Sequence, residues 1–452
     1  MLQRGWFLAA IWGILLFSQG CDQSRRASDI TTTSLLPDPP AATFQPTDWP
    51  AWRGINGDGN ATGPRPPIAW DAKTNVVWKT PIPGHGHSSP IVVGDYLFLT
   101  TADDAKRIQK VICIARESGV PRWTTEVHRG GFDRQAHPKN SQATPTMVSD
   151  GTRVYASFFH QEGIWLTALD LKGTILWSKL IGPFTSRFGY APSPVLYGSY
   201  IIVAADHEDG GFLAAVHRMN GEIIWRRSRP ATESYATPSV LKVDGKDQLV
   251  IAGGDYVRSY DPDNGEVLWV VQGTSQSCVG SPVMSEGIII ASGGYPGRET
   301  IAIRPQGTKV PEVVWRNKVS SYVPSLLIVN GYLYQVTDKG LLSCWDIKTG
   351  KRNWTTRLEG EVSSSPVACG DLIYLSNEGG VTFTIKANPQ KYELLAENSI
   401  KAEEQLASPV ISGGQIFLRI AQGTSDNRKE MLYCIGDLPT PPKSSVTAIP
   451  KP

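Results

Sequence analysis

The sequence predicts an all-β fold, an eight-bladed β-propeller of four-stranded antiparallel blades whose ring is closed by an N-terminal strand. Three observations predict it. A Ser/Thr-Pro step followed by an apolar run recurs, with prolines at Pro90, Pro145, Pro194, Pro238, Pro282, Pro366 and Pro409, and with Val323-Pro324 as a variant. The intervals between these steps, 55, 49, 44, 44, 42, 42 and 43 residues, fall in the range of propeller repeats. Each unit then reads as short strands joined by tight turns, which a closed ring can stack without leaving open sheet edges.

The elements follow in chain order. Arg4 precedes "GWFLAAIWGILLF", thirteen uncharged residues, too short for a comfortable bilayer span and the right length for the apolar core of a signal peptide over residues 1–20. Ser18-Gln19-Gly20-Cys21 follows and resembles the lipobox of bacterial lipoproteins, with Ser18 where Leu is usual; the resemblance implies lipidation at Cys21. Residues 22–48 are rich in Ser, Thr and Pro without sustained periodicity, so 21–48 reads as an anchor Cys plus flexible tether. No later stretch approaches eighteen apolar residues.

Within the repeats, most Ser/Thr-Pro anchors lead into a hairpin: "VVGDYLFLT", "VSDGTRVYAS", "LYGSYIIVA", "VNGYLYQV", "ACGDLIYLS" and "SGGQIFLRI". Gly-Asp, Asp-Gly and Asn-Gly between alternating apolar runs signal short turns that need positive φ. A third strand ends in an Asp/Gly turn and a fourth carries Trp, as in "DLKGTILW", "DPDNGEVLW" and "DIKTGKRNW". This places Trp123, Trp177, Trp225, Trp269, Trp315 and Trp354 at one position of successive units. The seventh unit lacks its Trp, and the last ends near Gly436 after three strands. Residues 75–82, "NVVWKTPI" with Trp78, supply the missing strand and complete the last blade. Eight blades over 70–436 take about 46 residues each, matching the period, whereas seven would take about 52. The propeller therefore spans 49–436, with a Pro-rich tail at 437–452.

Composition narrows the function. Lys+Arg 44 against Asp+Glu 42 gives a net charge of +2, so no face-wide basic excess recommends nucleic acid or an anionic membrane surface as partner. Apart from Cys21, the cysteines Cys113, Cys278, Cys344, Cys369 and Cys434 are odd in number and mostly in apolar strand-like runs, where a free thiol behaves as a small hydrophobe; one disulfide pair is left open.

The combination of Ser-Pro-Val, hairpin, Asp-x-x-x-Gly and terminal Trp resembles the repeat of pyrroloquinoline-quinone (PQQ)-like propellers, a group that includes quinoprotein dehydrogenases and BamB-type lipoproteins of outer-membrane protein assembly. The resemblance covers 49–436. "DWPAWRGINGDGNATG" (48–63), "HPKNSQATPTMVSDGTRVYASF" and "YATPSVLKVDGKDQLVIAGGDYVRSYDPDNGEVLW" are similar to segments of exported bacterial PQQ-like repeat proteins. The resemblance implies that Trp78 and its six counterparts are packing anchors between blades. It says little of function, since propellers host many chemistries.

Chemical motifs are sparse. G-x-S-x-G, G-x-x-x-x-G-K-[ST], H-E-x-x-H and C-x-x-C-H do not occur. His85-Gly86-His87 puts two imidazoles on one face of a strand, but a metal needs three or four ligands and the sequence offers no evident partner, so the pair reads as channel lining and no metal is expected. Asp206-His207-Glu208-Asp209 reads as a solvated turn. Asn56, Asp58 and Asn60 have calcium-loop spacing, yet the twelfth position is Pro67 rather than a bidentate Glu. Residues just before each anchor should line the channel mouth: His85, His87, Asn140, Gln142, Tyr190, Tyr235, Gln276, Ser277, Tyr322, Glu361 and Glu403. That rim is polar and aromatic with two acids and no Lys or Arg, which suits a polypeptide or neutral polar ligand.

Three functions are weighed. The first is an exported, lipid-anchored, monomeric, non-enzymatic scaffold binding a protein or peptide partner in the bacterial envelope, facing the periplasm, without a cofactor. The second is a PQQ-dependent dehydrogenase of alcohols or sugars, for which PQQ would be the electron sink; the adjacent cysteines typical of the alcohol-oxidising members are absent here. The third is acid–base catalysis by Glu361, Glu403 and Asp206, which needs two carboxylates at a set separation. No catalytic residue is assigned.

Overall fold

Eight antiparallel sheets form from the eight repeats in a computed structural model, which describes residues 27–33, 36–132, 137, 139–186, 188–307, 309–423 and 427–437. Blades 1 to 7 span 91–129, 148–183, 195–228, 239–272, 283–317, 327–357 and 367–399, each built from the innermost strand outward in chain order. Blade 8 joins the two ends of the chain. Its inner strands Val410–Ser412, Gln415–Gln422 and Lys429–Ile435 come from the C-terminal side, and Val76–Ile82 pairs antiparallel with Lys429–Ile435 as the outer strand, Trp78 opposite Cys434. The outer strand of blade 7 is Leu394–Ser399, without a Trp. Middle strands such as Phe212–His217 and Ile288–Gly293 bury every residue, because each sheet is covered on both faces by its neighbours.

The repeated residues have distinct mechanical roles. The indole N–H of Trp78, Trp123, Trp177, Trp225, Trp315 and Trp354 donates to a carbonyl of the next blade, on Arg116, Leu171, Arg218, Pro262, Ile347 and Asn388 respectively, at 2.7–3.2 Å. The glycine that ends the turn before the Trp-bearing strand lies directly under the Trp ring of the preceding blade. A Cβ on Gly119, Gly173, Gly221, Gly265 or Gly350 would come within 2.5–2.7 Å of the preceding blade's Trp side chain or its neighbour, and all five have φ between +68° and +90°. Close approach and left-handed backbone both demand glycine there. Trp269 faces blade 5, whose hairpin lacks this turn; its N–H donates to Gln248 Oε1 in its own blade, and Gln248 Nε2 reaches Gly307 O of blade 5.

The Ser/Thr-Pro steps stitch the inner strands. Proline has no N–H to donate, and the flanking hydroxyls bond to the adjacent blade instead. Backbone N–H groups of Ser89, Thr146 and Ser193 donate to the hydroxyls of Thr146, Ser193 and Thr237, and those of Ser281, Ser325 and Ser365 to Ser325, Ser365 and Ser408. Ser89 Oγ donates to Ser408 O, which carries the chain across the closure, and Ser239 Oγ to Pro282 O bridges the gap at blades 4 and 5.

Two sequence expectations need correction. The described part of the 21–48 tether is bound, not free. Ile30–Thr31 adds a fifth, outer strand to blade 3 against Arg226 and Trp225, and Ala27 is buried there. Arg226, Arg227 and Ser228 hold Ser28, Ile30 and Asp29, and Arg218 bonds Pro40 O. Asp206 is no solvated turn residue: it makes a two-pronged ion pair with Arg229 at 2.6 and 2.8 Å, both buried, while Tyr260 accepts from the same guanidinium. His207 is likewise buried. The five described cysteines are buried and free, and burial raises their thiol pKa values, Cys344 to about 11.

Candidate functional site

The channel is filled from one end by the segment 47–63. Its contacts begin at the hairpin ends of the inner strands, where Asp48 Oδ1 accepts from Gly94 N, Pro50 O from Ser149 N, and Thr47 O from Ser412 Oγ. Trp49 bridges Val92 and is buried in the core between blades 8 and 1. The chain then turns inward. Trp52 Nε1 donates to Ser281 Oγ of blade 5, and buried Arg53 donates to the carbonyls of Leu326, Pro366 and its own Asp58. Asn60–Ala61 leaves along blade 7 as a parallel strand on Val367–Cys369. Burial lowers the Arg53 pKa to about 10, with Asp58 opposing the shift. Six of the eight blades thus meet one short segment. The calcium-like spacing of Asn56, Asp58 and Asn60 has this structural explanation: Asp58 Oδ1 caps Asn60 N, and Asn60 Nδ2 donates to Ile328 O.

The opposite end is the mouth, and it carries lysines where the sequence predicts a polar, aromatic rim with two acids and no Lys or Arg. Lys139, at the entry to blade 2, extends its ammonium to Glu361 at 2.9 Å and Glu378 at 2.8 Å in blade 7, across the ends of blades 8 and 1. Lys339 also bonds Glu361. Hydrogen bonds from Lys339 and Lys139 hold the Glu361 carboxyl at about 2. Beside Lys139, Asn140 donates to Phe188 O and accepts from Ser141 N, so it shapes the loop. Gln142 offers its carbonyl to Gln109. An aromatic file runs from His137 to Phe188 (5.6 Å) and on to Tyr235 (6.5 Å).

The remaining expected rim residues divide. Gln276 is exposed, Ser277 is buried with its hydroxyl on Glu233 O, and half-buried Tyr322 is held through its N–H by Asp338. Tyr190 is not at the rim: it lies in the core between blades 2 and 3, donating to Ala204 O. Glu403 is exposed, whereas its neighbour Glu404 turns toward blade 1, a one-residue difference that side-chain alternation makes decisive.

Glu404 joins the two histidines. His85 Nε2 lies 3.2 Å from His87 Nε2, which lies 3.1 Å from Glu404 Oε1, and His85 Nδ1 lies 3.1 Å from Asp104 Oδ2. Arg428 bonds Glu404 at 2.6 Å and Glu430 at 2.7 Å, and Glu430 in turn pairs with buried Arg419. Burial lowers the His87 pKa against the opposing pull of Glu404, so its imidazole is neutral at pH 7. Burial also disfavours the Glu404 carboxylate, but hydrogen bonds from His87 and Arg428 outweigh it and set the group at about 2. Asp104, Glu404, Arg428, Lys139 and Glu378 escaped sequence reading because their partners lie 19 to 317 residues away and no local motif links them.

Comparison with known proteins agrees with this architecture. The family model described as outer membrane protein assembly factor BamB matches residues 61–185, 162–321 and 304–424. The outer membrane protein assembly factor BamB of Moranella endobia (strain PCIT) is 22% identical over 341 residues, 71% of this chain and 80% of that protein. Among solved structures, BamB from Moraxella catarrhalis is similar with a TM-score of 0.58 at 14% identity, covering 79% of this chain and 99% of that chain. The quinohemoprotein alcohol dehydrogenase from Comamonas testosteroni has a TM-score of 0.59 at 12% identity, covering 87% and 82%. Such distant structural likenesses establish the fold alone. The family matches together run along 61–424, over blades built as four-stranded sheets, and place the chain in the BamB family of PQQ-like β-propellers.

Proposed function

We propose that the chain is an exported, lipid-anchored binding module of the bacterial envelope that engages a polypeptide partner, in the setting of outer-membrane protein assembly that its relatives' names give for them. The observation that carries this reading is the filled channel. Arg53 and Trp52 occupy it from one end and Lys139 spans the other, so the protein's own side chains take the space in which a ring could hold a small ligand. What is left for recognition is the faces, and blade faces with exposed aromatic and charged side chains suit a protein partner.

The anchor also supports an orientation. Cys21 and the signal segment lie outside the described residues, but Ala27 is fixed against blade 3. Six residues span at most about 20 Å when extended. A lipid on Cys21 therefore holds the outer edge of blade 3 close to the membrane. Affinity purification from detergent-solubilised envelope tests both parts. The expected result is recovery of an envelope protein with the wild type, and movement of Cys21→Ser from the membrane to the soluble fraction. Failure to recover any envelope partner counts against the binding role, and unchanged membrane association of Cys21→Ser removes the anchor.

A further inference from the structure

We propose that His85, His87 and Glu404 bind a divalent transition-metal ion, zinc by the chemistry of the donor set, and that the ion ties blade 1 to blade 8 at the channel mouth. The reading goes beyond partner binding and does not depend on it. Two imidazoles and a carboxylate are a common donor set for zinc, with a fourth position left to water. The donors of a tetrahedral site with bonds of about 2.0–2.1 Å lie about 3.3 Å apart. Here His85 Nε2 to His87 Nε2 is 3.2 Å and His87 Nε2 to Glu404 Oε1 is 3.1 Å, and all three donor atoms lie within 4.8 Å of one another. The third pair, His85 Nε2 and the Glu404 carboxylate, falls within the same limit, and the His85 side chain is 27% exposed.

The backbone is already fixed for this purpose. His85 and Glu404 stand at equivalent places in adjacent repeats, each five residues before its anchor proline, Pro90 or Pro409. Each is held by a bridge to the second strand of its blade, at Ala102 and Ala421. Gly86 lets the two imidazoles converge over the buried network beneath, since a Cβ there would lie 2.5 Å from Arg419 Nη2 and 3.1 Å from Ala143 O. The outer shell is in place as well. Asp104 binds His85 Nδ1, the carboxylate–histidine arrangement that orients a metal-binding imidazole and makes it a better donor. Arg428 donates to Glu404 Oε1, the oxygen that faces His87, and so fixes the orientation of the carboxylate. The carboxylates of Asp104, Glu404 and Glu430 outnumber the guanidiniums of Arg419 and Arg428 by one, so a dication does not meet a net positive site.

The test uses the untagged chain, stripped with chelator and titrated with cobalt(II) and then zinc(II). Expected are visible ligand-field bands of low-symmetry cobalt(II) saturating at one equivalent, their loss on adding zinc, and a higher melting temperature with zinc. His85→Gln and Glu404→Gln should each weaken zinc binding by at least about tenfold, and Asp104→Asn by about 10- to 100-fold. His85 and Asp104 are at the surface, so those two variants keep their fold, which circular dichroism checks. Absence of cobalt bands and of stoichiometric zinc in equilibrium dialysis overturns the proposal. So does zinc binding with unchanged affinity in His85→Gln, which places the metal elsewhere.

Discussion

At the scale of single residues, the buried histidines set how the protein responds to acid. His128 on the outer strand of blade 1 stacks on His160 of blade 2 with ring centres 4.4 Å apart and planes 13° from parallel, and Trp165 closes the group edge-on to both. Burial, then the charge of a protonated His160, lowers the His128 pKa from 6.5 to about 3. Because the folded value lies below the unfolded one, the neutral ring's contribution is complete above pH 6.5 and is lost as pH falls from 6.5 toward 3. Over that window the loss is on the order of 5 kcal/mol. His160, His207 and His217 are shifted in the same direction, chiefly by burial. The melting temperature should therefore drop steeply between pH 6.5 and 4.5, and His128→Phe should flatten that limb; parallel slopes in the two proteins would contradict the assignment. Residue roles of this kind were legible in the sequence only where the repeat marked them. The seven Trp positions, five of them with a glycine four residues earlier, recur along the repeats and were readable, whereas Glu404 and Glu403 differ by one place in a segment with no strand pattern. Tyr190 shares its place before the anchor with true rim residues, and only its hydrogen bond to Ala204 inside the core reveals the difference.

At the scale of elements, the two N-terminal segments do opposite things to the ring. Val76–Ile82 supplies the outer edge of blade 8, with Trp78 packed against Phe417 and its N–H on Arg116 of blade 1. Deleting 75–82 exposes the backbone edge of Lys429–Ile435 and the apolar cluster of Leu432, Tyr433 and Ile435. Truncation of a buried Trp alone costs about 3–5 kcal/mol, and an open edge invites aggregation. Ile30–Thr31, by contrast, adds two residues to an already complete blade. Removing 22–33 should lower the melting temperature by a few degrees at most, while removing 75–82 should give aggregated or unfolded protein in gel filtration. A 75–82 deletion that stays monomeric and melts like the parent would refute closure by this strand. The closing strand was legible because a three-strand last repeat and a lone Trp-bearing segment complement each other. The docking of 27–33 was not, because its polar composition carries no periodicity and its hold comes from side chains of blade 3, Arg226 and Arg227 above all.

At the scale of the whole molecule, one chain builds a ring and then fills it. The hydroxyl chain from Ser89 around to Ser408 fixes the inner circumference, the indoles fix the outer contacts, and 47–63 ties six blades together from within. The blade number followed from the period, since each repeat is one sheet. The filled channel did not follow, because "DWPAWRGINGDGNATG" acts through Arg53 and Trp52 on carbonyls and hydroxyls far away in sequence. The central claim is that this interior is occupied, so that recognition belongs to the faces. Titration of the purified protein with PQQ and calcium, followed by absorbance and by gel filtration, tests it most directly. The account predicts a spectrum equal to the sum of its components and no quinone eluting with the protein. One equivalent of PQQ travelling with the protein would contradict it.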